Sequence, residues 1–176
     1  MFKVTKKVLV TGLTLIIPLF AWAGGDHEMK SYKGSAEFEK LKSLVGTWKG
    51  EEGTGNDKKE VVVTYAVTAG GSAVVETLFP KTPMEMVSVY TDEGGKLAMT
   101  HYCVLANQPH MKLTGSTANS IVLAMSGKHG IADANEPHMH ALTINFVDAN
   151  TIEHRWTHFK DGKAGDAVVF ELTRSQ

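Results

Sequence analysis

The chain has 176 residues, a formal net charge of −1, 43% hydrophobic residues and one cysteine. That length and apolar content support a domain with its own core. A mildly acidic balance without a basic patch argues against a nucleic-acid partner, and one thiol excludes an internal disulfide.

The first stretch reads as a secretory signal peptide, residues 1–23. Lys3, Lys6 and Lys7 make a basic start, residues 8–20 an apolar run, and Ala21-Trp22-Ala23 places small residues where a signal peptidase reads. The run is too short for a membrane anchor, and no cysteine stands at the cleavage point to carry a lipid. The protein is therefore expected to be exported, periplasmic or secreted, without a membrane anchor. Loss of three lysines takes its formal charge from −1 to −4. Residues 24–35 are polar and glycine-rich, a flexible leader to a domain over 36–176. Cleavage one residue later would leave Gly25-Asp26-His27, a terminus able to chelate copper or nickel, but the residues favour Ala23.

One amphipathic helix follows, with Phe38, Leu41, Leu44 and Val45 at helical spacing, Ser35 as N-cap and Gly46 as stop. Everything beyond reads as strand and turn. Period-2 alternation rich in Val, Thr, Ile, Tyr and Phe predicts strands at 47–52, 60–69, 72–79, 84–91, 96–103, 110–115, 120–126, 138–147, 151–159 and 166–174. The fold expected is all-β: a ten-stranded up-and-down antiparallel β-barrel with one short N-terminal capping helix, or else a sandwich. In a simple meander the tight turns (Gly70-Gly71 and residues 92–95, 116–119 and 148–150) fall at one end. The other end receives the longer connections, 53–59, 80–83, 104–109, 127–137 and 160–165. A closed base and an open, ligand-accepting mouth follow.

Alternation then sorts the histidines. Leu97, Met99, His101 and Cys103 share one face of their strand. His138 and His140 share a face with Leu142, Ile144 and Phe146, and His154 and His158 share one with Ile152 and Trp156. A three-residue loop at 148–150 sets Ile144 opposite His154 and His140 opposite His158. Two imidazoles so opposed can share an ion. Six of the eight histidines gather at the mouth on this reading, with His110 and His129 beside its loops. The metal-ligand candidates are His101, Cys103, His138, His140 and His158, and Met99, His154 and Trp156 are expected to line a ligand cavity. Met84 and Met86 are expected to share that face, as cavity-filling thioethers or soft ligands. Cys103 is alternatively a buried thiol or a link to a second chain. No nucleophile motif, phosphate loop or Cys-x-x-Cys-His stands in the sequence, and catalysis by a cavity histidine as acid or base is the least supported reading.

With Gly46-Thr47-Trp48-Lys49-Gly50 opening the first strand after a short helix, the chain resembles the lipocalin-like (calycin) barrels. The pattern is most similar to the ten-stranded nitrobindin branch, which binds haem through one histidine. Thr100-His101-Tyr102-Cys103 with Asn107-Gln108-Pro109 and Met111 resembles exported bacterial proteins of the DUF1579-like group. The resemblance implies a small-ligand barrel. It carries no haem histidine onto a matched position, and His154 and His158 are only loosely comparable. The expectation is thus a binding protein for copper, zinc or haem, with a carrier of an apolar organic molecule as the alternative.

Overall fold

The computed structural model describes residues 32–52 and 58–175. The expected signal peptide, most of the leader with His27, and residues 53–57 of the first mouth loop lie outside the described residues. In chain order the elements are α1 (Ala36–Lys42), β1 (Gly46–Glu52), β2 (Lys59–Thr68), β3 (Ala73–Leu78), β4 (Met86–Glu93) and β5 (Lys96–Tyr102), continuing with β6 (His110–Thr117), β7 (Ser120–Met125), β8 (His138–Phe146), β9 (Thr151–Lys160) and β10 (Lys163–Ser175). Each strand pairs antiparallel with its sequence neighbours, and β1 pairs antiparallel with β10, closing a ten-stranded up-and-down barrel. Closure leaves no open sheet edge. Among the described residues no helix is long and apolar enough to cross a membrane.

The helix caps the tight-turn end because its first turn is tied to that rim. Ser35 Oγ accepts from the Phe38 amide at 3.2 Å, satisfying one of the free N–H groups of a helix start. The Ser35 amide and hydroxyl donate to Asp92 at 2.6 and 2.8 Å. Ser116 Oγ donates to Glu37 at 2.6 Å, and Lys40 Nζ lies 4.2 Å from the centre of the Phe146 ring. Phe38, Leu41 and Leu44 are buried against the barrel floor, whereas Val45 is exposed. The helix ends at Lys42 with Ser43 as C-cap, before the expected stop; Gly46, at φ 128°, instead opens β1. Trp48 then fills the floor, its indole N–H donating to Leu44 O at 2.7 Å. Above it, Arg174 covers the ring face at 4.3 Å and donates to the carbonyls of Ser43 and Val45 at 2.8 Å each.

The alternation expected for the inner wall is the burial observed. Val61, Val63 and Tyr65 of β2, Val74, Glu76 and Leu78 of β3, Met86, Ser88 and Tyr90 of β4, and Leu97, Met99 and His101 of β5 are all buried. Ile152, His154 and Trp156 do the same on β9. Burying each large apolar side chain stabilises by roughly 1.5–3 kcal/mol. Met84 lies in the turn before β4 and is exposed, so it does not share the face of Met86 and Met99. The last connection is also shorter than expected. Asp161 and Gly162 both take positive φ, 53° and 74°, making a two-residue hairpin turn that suits the right-handed strand twist. β10 therefore starts at Lys163 and absorbs the slack as a register irregularity between Ala164 and Ala167.

At the opposite end the connections 103–109 and 126–137 fold on each other. The Gln108 amide donates to Gly130 O at 2.8 Å and the His110 amide to His129 O at 3.1 Å. Gly130 is required here, since its φ is 81° and a Cβ would collide with the Gln108 carbonyl oxygen. Asn107 Nδ2 donates to Glu136 Oε1 at 3.0 Å and to Pro137 O at 2.9 Å, pinning the segment that leads into β8.

Candidate functional site

The interior of the barrel holds a polar network at mid-height. Glu76 on β3 is fully buried. Tyr65 on β2 donates to its Oε1 at 2.7 Å and Tyr90 on β4 to its Oε2 at 2.9 Å. Burial, then the adjacent Glu76, pushes both phenols well above their ordinary range, so they act as donors. His154 reaches across from β9, its Nε2 2.8 Å from the Tyr65 oxygen. Because the Tyr65 proton points at Glu76, His154 Nε2 must be the donor in that contact. Its Nδ1 then carries the lone pair, lies 3.6 Å from Glu76 Oε1 and has no hydrogen-bond partner among the described residues. Burial lowers the His154 pKa against the opposing pull of Glu76, consistent with this neutral tautomer.

A second layer lies next to it toward the mouth. Ser88 and His101 stand opposite each other on β4 and β5, Oγ to Nδ1 at 3.0 Å. The His101 ring meets Trp156 of β9 across the interior, with centroids 4.7 Å apart. Burial drives the His101 pKa down to about 4, so the imidazole is neutral near pH 7. Among the described residues, both His101 Nε2 and Trp156 Nε1 are buried with no hydrogen-bond partner. Beyond them the wall is partly buried and soft: Phe79, Cys103, Met139 and Val168 pack on the core rim, with Met86 close to full burial. Cys103 Sγ lies 3.9 Å from Met86 Sδ, and burial raises its pKa, keeping it a thiol.

Met99, His154 and Trp156 do face inward, all at 0–1% exposure. The expected five-residue metal set is not gathered. His101 stands in the interior beside Ser88 and Trp156, and Cys103 beside Met86. His138 and His140 form a pair of their own, Nε2 to Nδ1 at 3.2 Å. Among the described residues, no group of three or more His, Cys, Asp or Glu side chains is arranged to hold a metal ion.

His158 is the clearest correction. The loop at 148–150 does set Ile144 opposite His154, as expected. Between Met139 and Ala141, however, the register shifts: His158 falls opposite Met139, and Phe159 opposite His138. The extra residue is His140, in a β-bulge. Phe159 rather than His158 thus stacks on the histidine pair, at 4.9 Å from His138 and 5.2 Å from His140. His110 does lie beside the mouth loops, but its side chain turns to the outer wall, where it bonds Thr100 at 3.0 Å and approaches Glu93 at 3.1 Å, while His129 is exposed in its loop.

Tyr65, Glu76, Ser88 and Tyr90 were not among the expected site residues. Their signal was nonetheless present. In Ala73–Leu78, Glu76 shares a face with Val74 and Leu78, and the same period puts Tyr65 with Val63 and Tyr90 with Met86. An acid on an apolar face, flanked by strands carrying inward tyrosines, marks a buried hydrogen-bonded carboxyl.

A cleft of about 510 Å³ opens between the mouth loops rather than inside the barrel, lined by Leu105, Asn107, Gly130, Ile131 and Glu136. No protein-family model matches the chain, and no curated protein matches it.

Proposed function

We propose that this chain is an exported, lipocalin-type binding protein for a small organic molecule with an apolar body and one oxygen-bearing head group. The observation that supports the reading is a pair of buried polar atoms without a partner among the described residues, His101 Nε2 and Trp156 Nε1, on rings whose centroids lie 4.7 Å apart. An orphaned buried donor or acceptor costs about 1–3 kcal/mol, a cost that a ligand oxygen relieves when it accepts from the indole N–H. Soft, adaptable side chains at the rim, Met86, Met139 and Phe79, suit an apolar body of variable shape. The Gly-Thr-Trp opening and the ten strands fit the same class, including its nitrobindin-like and DUF1579-like members. The basic-apolar-small N-terminal pattern supports export.

The test uses 1-anilinonaphthalene-8-sulfonate, an apolar fluorophore with an oxygen-rich head. Trp156→Phe, which keeps an aromatic ring but loses the pyrrole half of the indole with its N–H, is expected to weaken its binding about 5–10-fold, the worth of one hydrogen bond. Unchanged affinity in Trp156→Phe and His101→Phe alike would reject the reading.

Haem is the second reading, favoured by one feature: His101 presents Nε2 without a partner while Ser88 holds Nδ1, the arrangement that orients an axial imidazole. His154 fits that role poorly, because its Nε2 is engaged by Tyr65. Hemin titration separates the two readings. A Soret band that survives His154→Phe and is lost in His101→Phe supports haem, and no Soret band in the unsubstituted protein rejects it.

A further inference from the structure

The bulge in β8 does more than disturb a register. His138 Nδ1 lies 2.7 Å from the Glu136 carbonyl oxygen. A carbonyl only accepts, so Nδ1 carries the proton and the lone pair of neutral His138 is at Nε2. That nitrogen faces His140 Nδ1 at 3.2 Å. Two imidazole nitrogens bound to one ion at roughly 2.0–2.1 Å, at angles between square and tetrahedral, stand about 2.9–3.4 Å apart. The spacing falls within the bite of a chelate, which the two nitrogens can form once they give up the hydrogen bond between them.

We propose that His138 Nε2 and His140 Nδ1 form a two-histidine site for a divalent transition-metal ion, with copper(II) the preferred ion, at the mouth of the barrel. The site is distinct from the interior His101–Trp156 pair, and it stands or falls independently of the organic-ligand reading.

Three features hold the pair ready. Phe159 lies against both rings, with interplanar angles of 31° and 27°, and fixes their planes. Glu136, whose carbonyl sets the His138 tautomer, is itself held by Asn107 Nδ2 and by the Ala132 amide at 3.0 and 3.2 Å. Such outer contacts orient metal-binding imidazoles. The bulge supplies the extra residue, His140, which stays partly exposed while His138 is buried. Exposure leaves the remaining coordination positions to water or to an oxygen ligand from outside.

Proton bookkeeping is simple. Without metal, His140 Nδ1–H donates to His138 Nε2. Ion binding requires the His140 proton to leave Nδ1, and it can be retaken at the solvent-side Nε2, so the pair binds without net loss of a proton. For nitrogen donors copper(II) outranks zinc, which sets the ion preference.

The experiment is a copper(II) titration of the tag-free full chain, followed by calorimetry and by electron paramagnetic resonance, in a His27→Ala background that removes the leader histidine. One copper ion per chain with coupling to two nitrogens is expected. Outer-contact losses at metal sites weaken binding 10–100-fold, so losing one of two ligands, in His138→Gln or His140→Gln, is expected to weaken it by about 10–100-fold or more. Coupling to one nitrogen should disappear in each. His129→Gln and His158→Gln should change neither. His140 is partly exposed at a bulge, so His140→Gln carries the test should the buried His138→Gln fail to fold. Copper affinity and nitrogen coupling unaltered in His140→Gln, or lost instead in His129→Gln or His158→Gln, would overturn the assignment.

Discussion

Glu76→Ala is expected to destabilise the barrel by about 3–5 kcal/mol, the usual cost of removing one partner from a buried charged or strongly polar network. Among the described residues, the carboxyl group accepts the Tyr90 hydroxyl at 2.9 Å and the Tyr65 hydroxyl at 2.7 Å. Alanine leaves the Tyr90 hydroxyl buried without an acceptor, frees Tyr65 to turn toward His154 with the wrong tautomer facing it, and opens a cavity between them. Each unmet hydroxyl contributes about 1–3 kcal/mol and the cavity adds to this. Glu76→Gln keeps the volume and one acceptor oxygen, and its expected cost is smaller, about 1–2 kcal/mol. Urea unfolding followed by tryptophan fluorescence measures both. A Glu76→Ala protein within about 1 kcal/mol of the parent would mean that the network does not hold the strands together. Tyr90→Phe in the Glu76→Ala background provides the second arm: if the hydroxyl is the liability, removing it should recover part of the loss.

Acid sensitivity well above the ordinary carboxylate range is the second large effect. His101 titrates near its ordinary 6.5 in the unfolded chain and at about 4 in the fold, because burial disfavours its charged form. Between those values the unfolded state holds a proton that the folded state does not, so stability rises with pH and is lost as pH falls from 6.5 toward 4. At 1.36 kcal/mol per pH unit the full effect is about 3 kcal/mol. His154 is shifted in the same direction by burial, against Glu76, and adds to the slope. Unfolding free energy measured from pH 7 to pH 4 should therefore decline more steeply in the parent than in His101→Gln. The comparison cancels the surface carboxylates, which titrate alike in both. Parallel pH profiles would show that His101 does not titrate as a buried group.

Much of the architecture is a local property of the chain. The alternation in Val61–Tyr65, Met86–Tyr90 and Ile152–Trp156 is the pleat itself, which sends successive side chains to opposite faces. Glycines and the Asp-Ala-Asn sequence at 148–150 mark turns by their backbone preferences, so ten strands, a capped base and the Ile144–His154 register could be read without coordinates. The inward placement of His101, His154, Trp156 and Met99 follows from the same rule.

What the sequence could not carry lies in relations between strands. A bulge at His140 depends on how β9 continues past Trp156 and on the two-residue turn at Asp161-Gly162 that follows it. Neither alters the periodicity of residues 138–147 read alone. One residue of slack was enough to move His158 from opposite His140 to opposite Met139, and to bring Phe159 beside His138. Contacts across the interior, Tyr65 with His154 and His101 with Trp156, join strands distant in the chain. They exist because β1 pairs with β10, and barrel closure with its stagger fixes which inward side chains share a layer. The sequence alone determined which residues enter the barrel; only the closed tertiary structure decided which of them meet, because facing is set by the pleat within one strand while adjacency across the interior is set by the register of all ten.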